Sequence, residues 1–187
     1  MNTTNDETAK TMWTLDPAHS AVGFSVRHLM ITNVRGEFQT VSGTVRYDAD
    51  RPEATAILVT LPAASIHTRD ATRDAHLRSA EFFDAVQHPT ITFRSTKART
   101  TGEGGLEVTG DLTIRGTTRE VTLAVAEITG EHKDFQGNAR VGASATTKIS
   151  RSAFGMSFNK VLETGGIALG DEVSLTLDVS LIKDKAA

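Results

Sequence analysis

From Leu106 the chain reads L-E-V-T-G-D-L-T-I, which sends Leu106, Val108, Leu112 and Ile114 to one face and Glu107, Thr109, Asp111 and Thr113 to the other. A period of two is the mark of an extended strand with one buried face. Arg115-Gly116-Thr117-Thr118 supplies a turn, after which Val121, Leu123 and Val125 resume the alternation. The two runs therefore form a β-hairpin. The same pattern recurs at Val22, Phe24, Val26 and His28, and again at Val173, Leu175, Leu177, Val179 and Leu181. Further strands are predicted near residues 35–47, 54–62, 90–98 and 137–149, which brings the count to eight. Threonine, valine and isoleucine make up 50 of the 187 residues, and such β-branched side chains suit a pleated sheet better than a helix.

One segment breaks the pattern. Residues 68–83 are rich in Ala and Arg, with Asp70 placed as an N-cap and Ala71, Ala75 and Leu77 or Arg78 at helical spacing. A short helical insertion is expected there, closed before Pro89. Residues 1–11 read as a disordered polar tail and 12–187 as a single domain. Eight sequential strands favour an all-β, up-and-down antiparallel barrel, because closure removes exposed sheet edges.

The composition excludes several functions. Twenty basic residues against 23 acidic ones leave a net charge of -3, whereas a nucleic-acid binder needs a basic excess. No apolar run is long enough to cross a membrane as a helix. With no cysteine, thiolate chemistry and Cys-based metal sites are absent. The histidines (His19, His28, His67, His76, His88 and His132) are scattered at spacings that do not converge on a metal. No nucleophile elbow or phosphate-binding glycine loop is present. Neither a catalytic constellation nor a cofactor is expected, and the N-terminus carries no secretory signal pattern, so a cytoplasmic protein is the reading.

An eight-stranded barrel is either filled by its side chains or able to hold a small ligand. Gly110, Ala143 and Ala145 fall at inward parity; neighbouring aromatics or a ligand must take the volume they leave. The charge-dense run of Arg69, Asp70, Arg73, Asp74, His76 and Arg78 reads as an exposed helix face with intrahelical ion pairs, or as a basic rim for an anionic head group. Two loops carry apolar residues expected to be exposed. One holds Leu29 and Met30, the other Phe154, Met156 and Phe158. Packing on the barrel end, a ligand portal and a dimer contact all remain open for them.

Several longer stretches are more specific. These are W-T-L-D-P-A-H-S-A-V-G-F-S-V-R-H-L from Trp13, S-I-H-T-R-D-A-T-R-D-A-H-L-R-S-A-E-F-F-D from Ser65, H-P-T-I-T-F-R-S from His88 and I-S-R-S-A-F-G-M from Ile149. In this order the sequence resembles the YceI-like proteins, a polyisoprenoid-binding, lipocalin-like family of bacteria. The resemblance implies an extended eight-stranded antiparallel, lipocalin-like barrel around a long apolar cavity, covered on one side by the helical insertion. It also implies an isoprenoid or fatty lipid as ligand, and a homodimer. It carries over no reaction.

Inward parity and the resemblance together nominate Phe24, Val26, Phe38, Val59, Phe93, Leu112, Leu123 and Leu175 as cavity lining. His28 and Arg151 are nominated as polar contacts, and the two apolar loops as a portal.

Overall fold

The computed structural model describes residues 11–102, 104–161 and 168–185. The tail expected over residues 1–11 lies outside them, apart from Thr11. Eight strands close into an antiparallel barrel. Strand β1 comprises Met12–Leu15 and Ala21–His28, β2 Thr32–Phe38 and Ser42–Arg46, and β3 Ala56–Pro62 and Ile66–His67. Then follow β4 (Thr90–Thr100), β5 (Leu106–Ile114), β6 (Thr117–Ala126), β7 (Ala139–Ser150) and β8 (Leu169–Lys183). Each pairs with its neighbour in sequence, and β8 closes the ring on β1 through Trp13↔Lys183 and Leu175↔Phe24. The ladder between β7 and β8 runs unbroken from Arg140↔Ile182 to Ser150↔Glu172.

The expected strands are all present, with three short additions: Met12–Leu15, Ile66–His67 and His132–Lys133, the last paired with Ala139 and Arg140 of β7. Met12–Leu15 extends β1 beyond the short 3-10 turn Pro17–His19. A bulge between Ser95 and Lys97 shifts the parity of β4, so Ile91 and Phe93 face inward before it and Ala98 after it. The expected helix is α1, Ala71–Arg78; the Asp70 carboxylate caps it by accepting from the Arg73 N–H at 3.0 Å.

The charged face of α1 corrects the expectation of intrahelical ion pairs. Ile66–His67 pairs on one side only, with β2. The arginines of the helix supply donors to carbonyls in that stretch. Arg78 donates to the carbonyls of Ala64 and Ile66, both at 2.8 Å, and Arg73 to the Thr68 carbonyl at 2.8 Å. Asp74 is buried and accepts from the Thr68 N–H and hydroxyl and from His67. Burial pushes its carboxyl up, but the Thr68 hydrogen bonds and His67 outweigh that and hold it below its usual value. The helix is thus bolted to the barrel wall rather than resting on it.

A second polar cluster locks the break in β1. Arg140 donates to Asp16 at 2.6 Å, to Asp134 at 2.7 Å and to the Ser180 hydroxyl at 3.1 Å. Arg140, aided by His19, holds Asp16 down at about 2, and the same guanidinium keeps Asp134 well below the usual carboxylate range. Carboxylates depressed by folding contribute stability above their unfolded value near 4, and that contribution is lost as pH falls toward 2. Arg140→Met is therefore expected to lower stability at neutral pH and to flatten its decline on acidification. Urea denaturation at a series of pH values checks this. A stability difference from wild type that stays constant down to pH 2 would show that the cluster adds nothing through charge.

Candidate ligand-binding cavity

The inward faces of all eight strands enclose one continuous cavity of about 500 Å³, within the range of pockets that take small-molecule ligands. It runs from His28, Phe158 and Lys160 at the end where α1 packs to Tyr47, Thr55 and Ile128 at the other. The period-two pattern creates it directly: β1 sends Val22, Phe24, Val26 and His28 inward, and β8 sends Val173, Leu175, Leu177 and Val179.

Two of the small inward residues leave room that no side chain takes. Ala143 and Ala145 both face the cavity. Gly110 behaves differently, because a neighbouring aromatic takes the volume it leaves. A Cβ there would lie 2.7 Å from the Phe93 ring and collide with the Arg94 carbonyl. Its missing side chain makes room for Phe93. Gly36 does the same for Phe24, whose ring would meet a Cβ at 2.5 Å. The aromatics thus fill part of the barrel and leave the rest open.

All ten nominated residues lie in the cavity wall: Phe24, Val26, His28, Phe38, Val59, Phe93, Leu112, Leu123, Arg151 and Leu175. The nominated loops divide. Phe154 is 2% exposed, packs in the core and stays out of the wall, and Met156 is 4% exposed and does line it. These two were expected to be exposed; the 3-10 turn Ser152–Phe154 folds them inward instead. The Phe158 ring lies 4.9 Å from His76 and 5.3 Å from Phe82, forming an aromatic cluster over that end of the barrel. Leu29 and Met30 are exposed at the tip of the hairpin between β1 and β2 and do not line the cavity.

Arg151 reaches the wall but is largely committed to the fold. Its guanidinium donates to the carbonyls of Met156, Phe158, Leu169 and Gly170. It is 5% exposed, and among the described residues no carboxylate pairs with it directly. Burial lowers its pKa, with Asp171 acting in the opposite direction. Arg73 and His76, two members of the charged run, also line the wall, and the cavity residues that the sequence reading missed include Leu77, Phe82 and Phe83 from the insertion, and Lys160. No periodicity marks them, because they meet the cavity only when the insertion and the loop before β8 fold across the barrel end. Val22 and Val173, by contrast, share the inward parity of their strands and could have been nominated from it.

The model of the YceI-like domain matches residues 13–181. The chain belongs to the YceI-like family. A UPF0312 protein of Ectopseudomonas mendocina is 42% identical over 136 residues, covering 73% of this chain and 71% of its own. Among solved structures, BcnA of Burkholderia cenocepacia superposes with a TM-score of 0.78 at 24% identity, over 89% of this chain and 98% of that one. A polyisoprenoid binding domain from Saccharophagus degradans, implicated in plant cell wall breakdown, superposes with a TM-score of 0.66 at 12% identity. It covers 92% of this chain and 98% of that one. At these identities the two structures establish the YceI-like barrel and nothing finer.

Proposed function

We propose that this YceI-like protein is a carrier that holds a polyisoprenoid or other long-chain amphiphile inside its barrel. The observation that carries the reading is the continuous apolar cavity that the protein's own aromatics leave open. Membership of the family, and the polyisoprenoid binding domain that shares its fold, support the same ligand class. The chain lies against the strand residues, Phe24 and Leu175 among them, and the polar head group lies at the α1 end, near His28, Arg73 and Lys160. Binding, not catalysis, is the function. The His76 ring nitrogen pairs with Glu81 at 2.5 Å, and Asp74 with His67, so Asp74 and His76 do not form an acid–base pair.

Each buried methylene contributes about 0.8 kcal/mol, so ten give roughly 8 kcal/mol before ordering costs. Before those costs that is only about micromolar affinity, which suits a carrier that must release its cargo. Native mass spectrometry of gently purified protein is expected to show a long-chain adduct, and delipidated protein should take up a fluorescent fatty acid. Protein that is repeatedly ligand-free and takes up no probe would end the proposal.

A further inference from the structure

The hairpin between β1 and β2 carries Leu29, Met30 and Ile31 at its tip, exposed by 37%, 57% and 74%. Leu29 and Met30 both adopt left-handed backbone, with φ of 51° and 61°. Such turns favour glycine and asparagine, and large side chains there carry a conformational cost. Met30 and Ile31 leave more than half of their surface in solvent, so packing does not account for the choice of residues there. It is nonetheless well fixed. The Ile31 N–H donates to the His28 carbonyl at 3.1 Å, and Arg27 donates to the Met30 carbonyl at 2.9 and 3.2 Å. The Leu29 N–H donates to the Ala168 carbonyl at 2.7 Å, which joins the tip to a residue of the cavity wall. His28, one residue away, lines the cavity.

Among the described residues, the two segments that flank the tip are basic. Residues 21–36 and 151–161 contain Arg27, Arg35, Arg151 and Lys160 and no acidic residue, although the chain as a whole is acidic. Of the nearby carboxylates of β8, Glu172 is paired with Lys148, and Asp171, which accepts from Ser150 and Ser152, is offset by the Arg151 charge. Arg27, Arg35 and Lys160 are exposed. Three projecting apolar side chains are too few for a stable protein interface, which needs about 20–30 residues on each side. They suit shallow insertion between lipids, with the flanking cations against anionic head groups.

We propose that the Leu29–Ile31 tip docks this protein on anionic lipid bilayers, holding the α1 end of the cavity at the lipid surface. The proposal rests on the carrier reading, and its test separates the two. Wild-type protein is expected to sediment with vesicles of equal parts phosphatidylcholine and phosphatidylglycerol, and at least about fivefold more weakly with phosphatidylcholine alone. The double variant Met30→Ser, Ile31→Ser should bind the mixed vesicles about tenfold more weakly, and Arg35→Glu at least about fivefold more weakly. Phe135→Ser, which removes an exposed apolar side chain at the opposite end, should bind like wild type.

Uptake of a fluorescent fatty acid from solution, measured on the same proteins, reports the cavity alone and should be unaltered in all of them. Loss of uptake in wild type would sink the carrier reading. Uptake without vesicle binding, or equal vesicle binding by the double variant, would overturn the docking proposal. So would light scattering that shows the double variant converting a dimer to a monomer with vesicle binding intact, because the tip would then be a self-association surface.

Discussion

Ala145→Phe is expected to weaken uptake of a long-chain fatty acid by roughly 50-fold without lowering stability. Ala145 is 8% exposed, faces the cavity from the middle of β7, and pairs with Val125 on one side and Leu177 on the other. A ring placed there takes space that, under the carrier reading, the ligand occupies. Displacing about three methylenes removes roughly 2.4 kcal/mol of burial, which is the expected loss of affinity. Phenylalanine is the better choice than tryptophan, because its ring brings no N–H into a wall with few partners. Filling a void with apolar atoms leaves stability unchanged or raises it. Fluorescent fatty acid titration and thermal unfolding test both halves. Unchanged affinity would mean that the chain does not pass this position. A fall in Tm of more than a few degrees would mean that the space is not there.

Arg151→Met is expected to destabilise the protein by about 3 kcal/mol. Methionine preserves the length and apolar stem of the side chain but removes every donor. The carbonyls of Met156, Phe158, Leu169 and Gly170 then lose their shared partner in a largely buried setting. Relief of the buried charge offsets part of that cost, which keeps the figure at the lower end for a buried cation. For a chain of this size the change lowers Tm by about 9 °C. Phe158 and Lys160 line the same end of the cavity, so release of a bound probe should also accelerate. Arg151→Lys should restore only part of the loss, because a single ammonium cannot reach four carbonyls spread over two segments. A loss below about 1 kcal/mol for Arg151→Met would show that the loop holds itself in place.

These two residues mark where sequence reasoning stops. Ala145 was legible as an inward-facing small residue because strand parity is set by neighbours two positions away. Whether its volume is filled is not legible: at Gly110, of the same inward parity, the Phe93 ring reaches across from the neighbouring strand to occupy the space, whereas Ala145 faces the open cavity. Arg151 was singled out as a polar contact to cargo, yet most of its donors serve backbone carbonyls up to 19 residues away. Asp16 and Arg140 lie 124 residues apart, and nothing local to either marks the pair.

The sequence by itself determined the strands, their inward faces, the Asp70-capped helix and the apolar character of the interior, because each rests on a repeat or a cap contained within a few residues. Only the tertiary structure decided how much of that interior stays open, which cations clamp the loops, and which apolar residues fold inward. Those outcomes depend on side chains that meet across strands far apart in the chain, where volume and hydrogen-bond partners are settled only once the barrel closes.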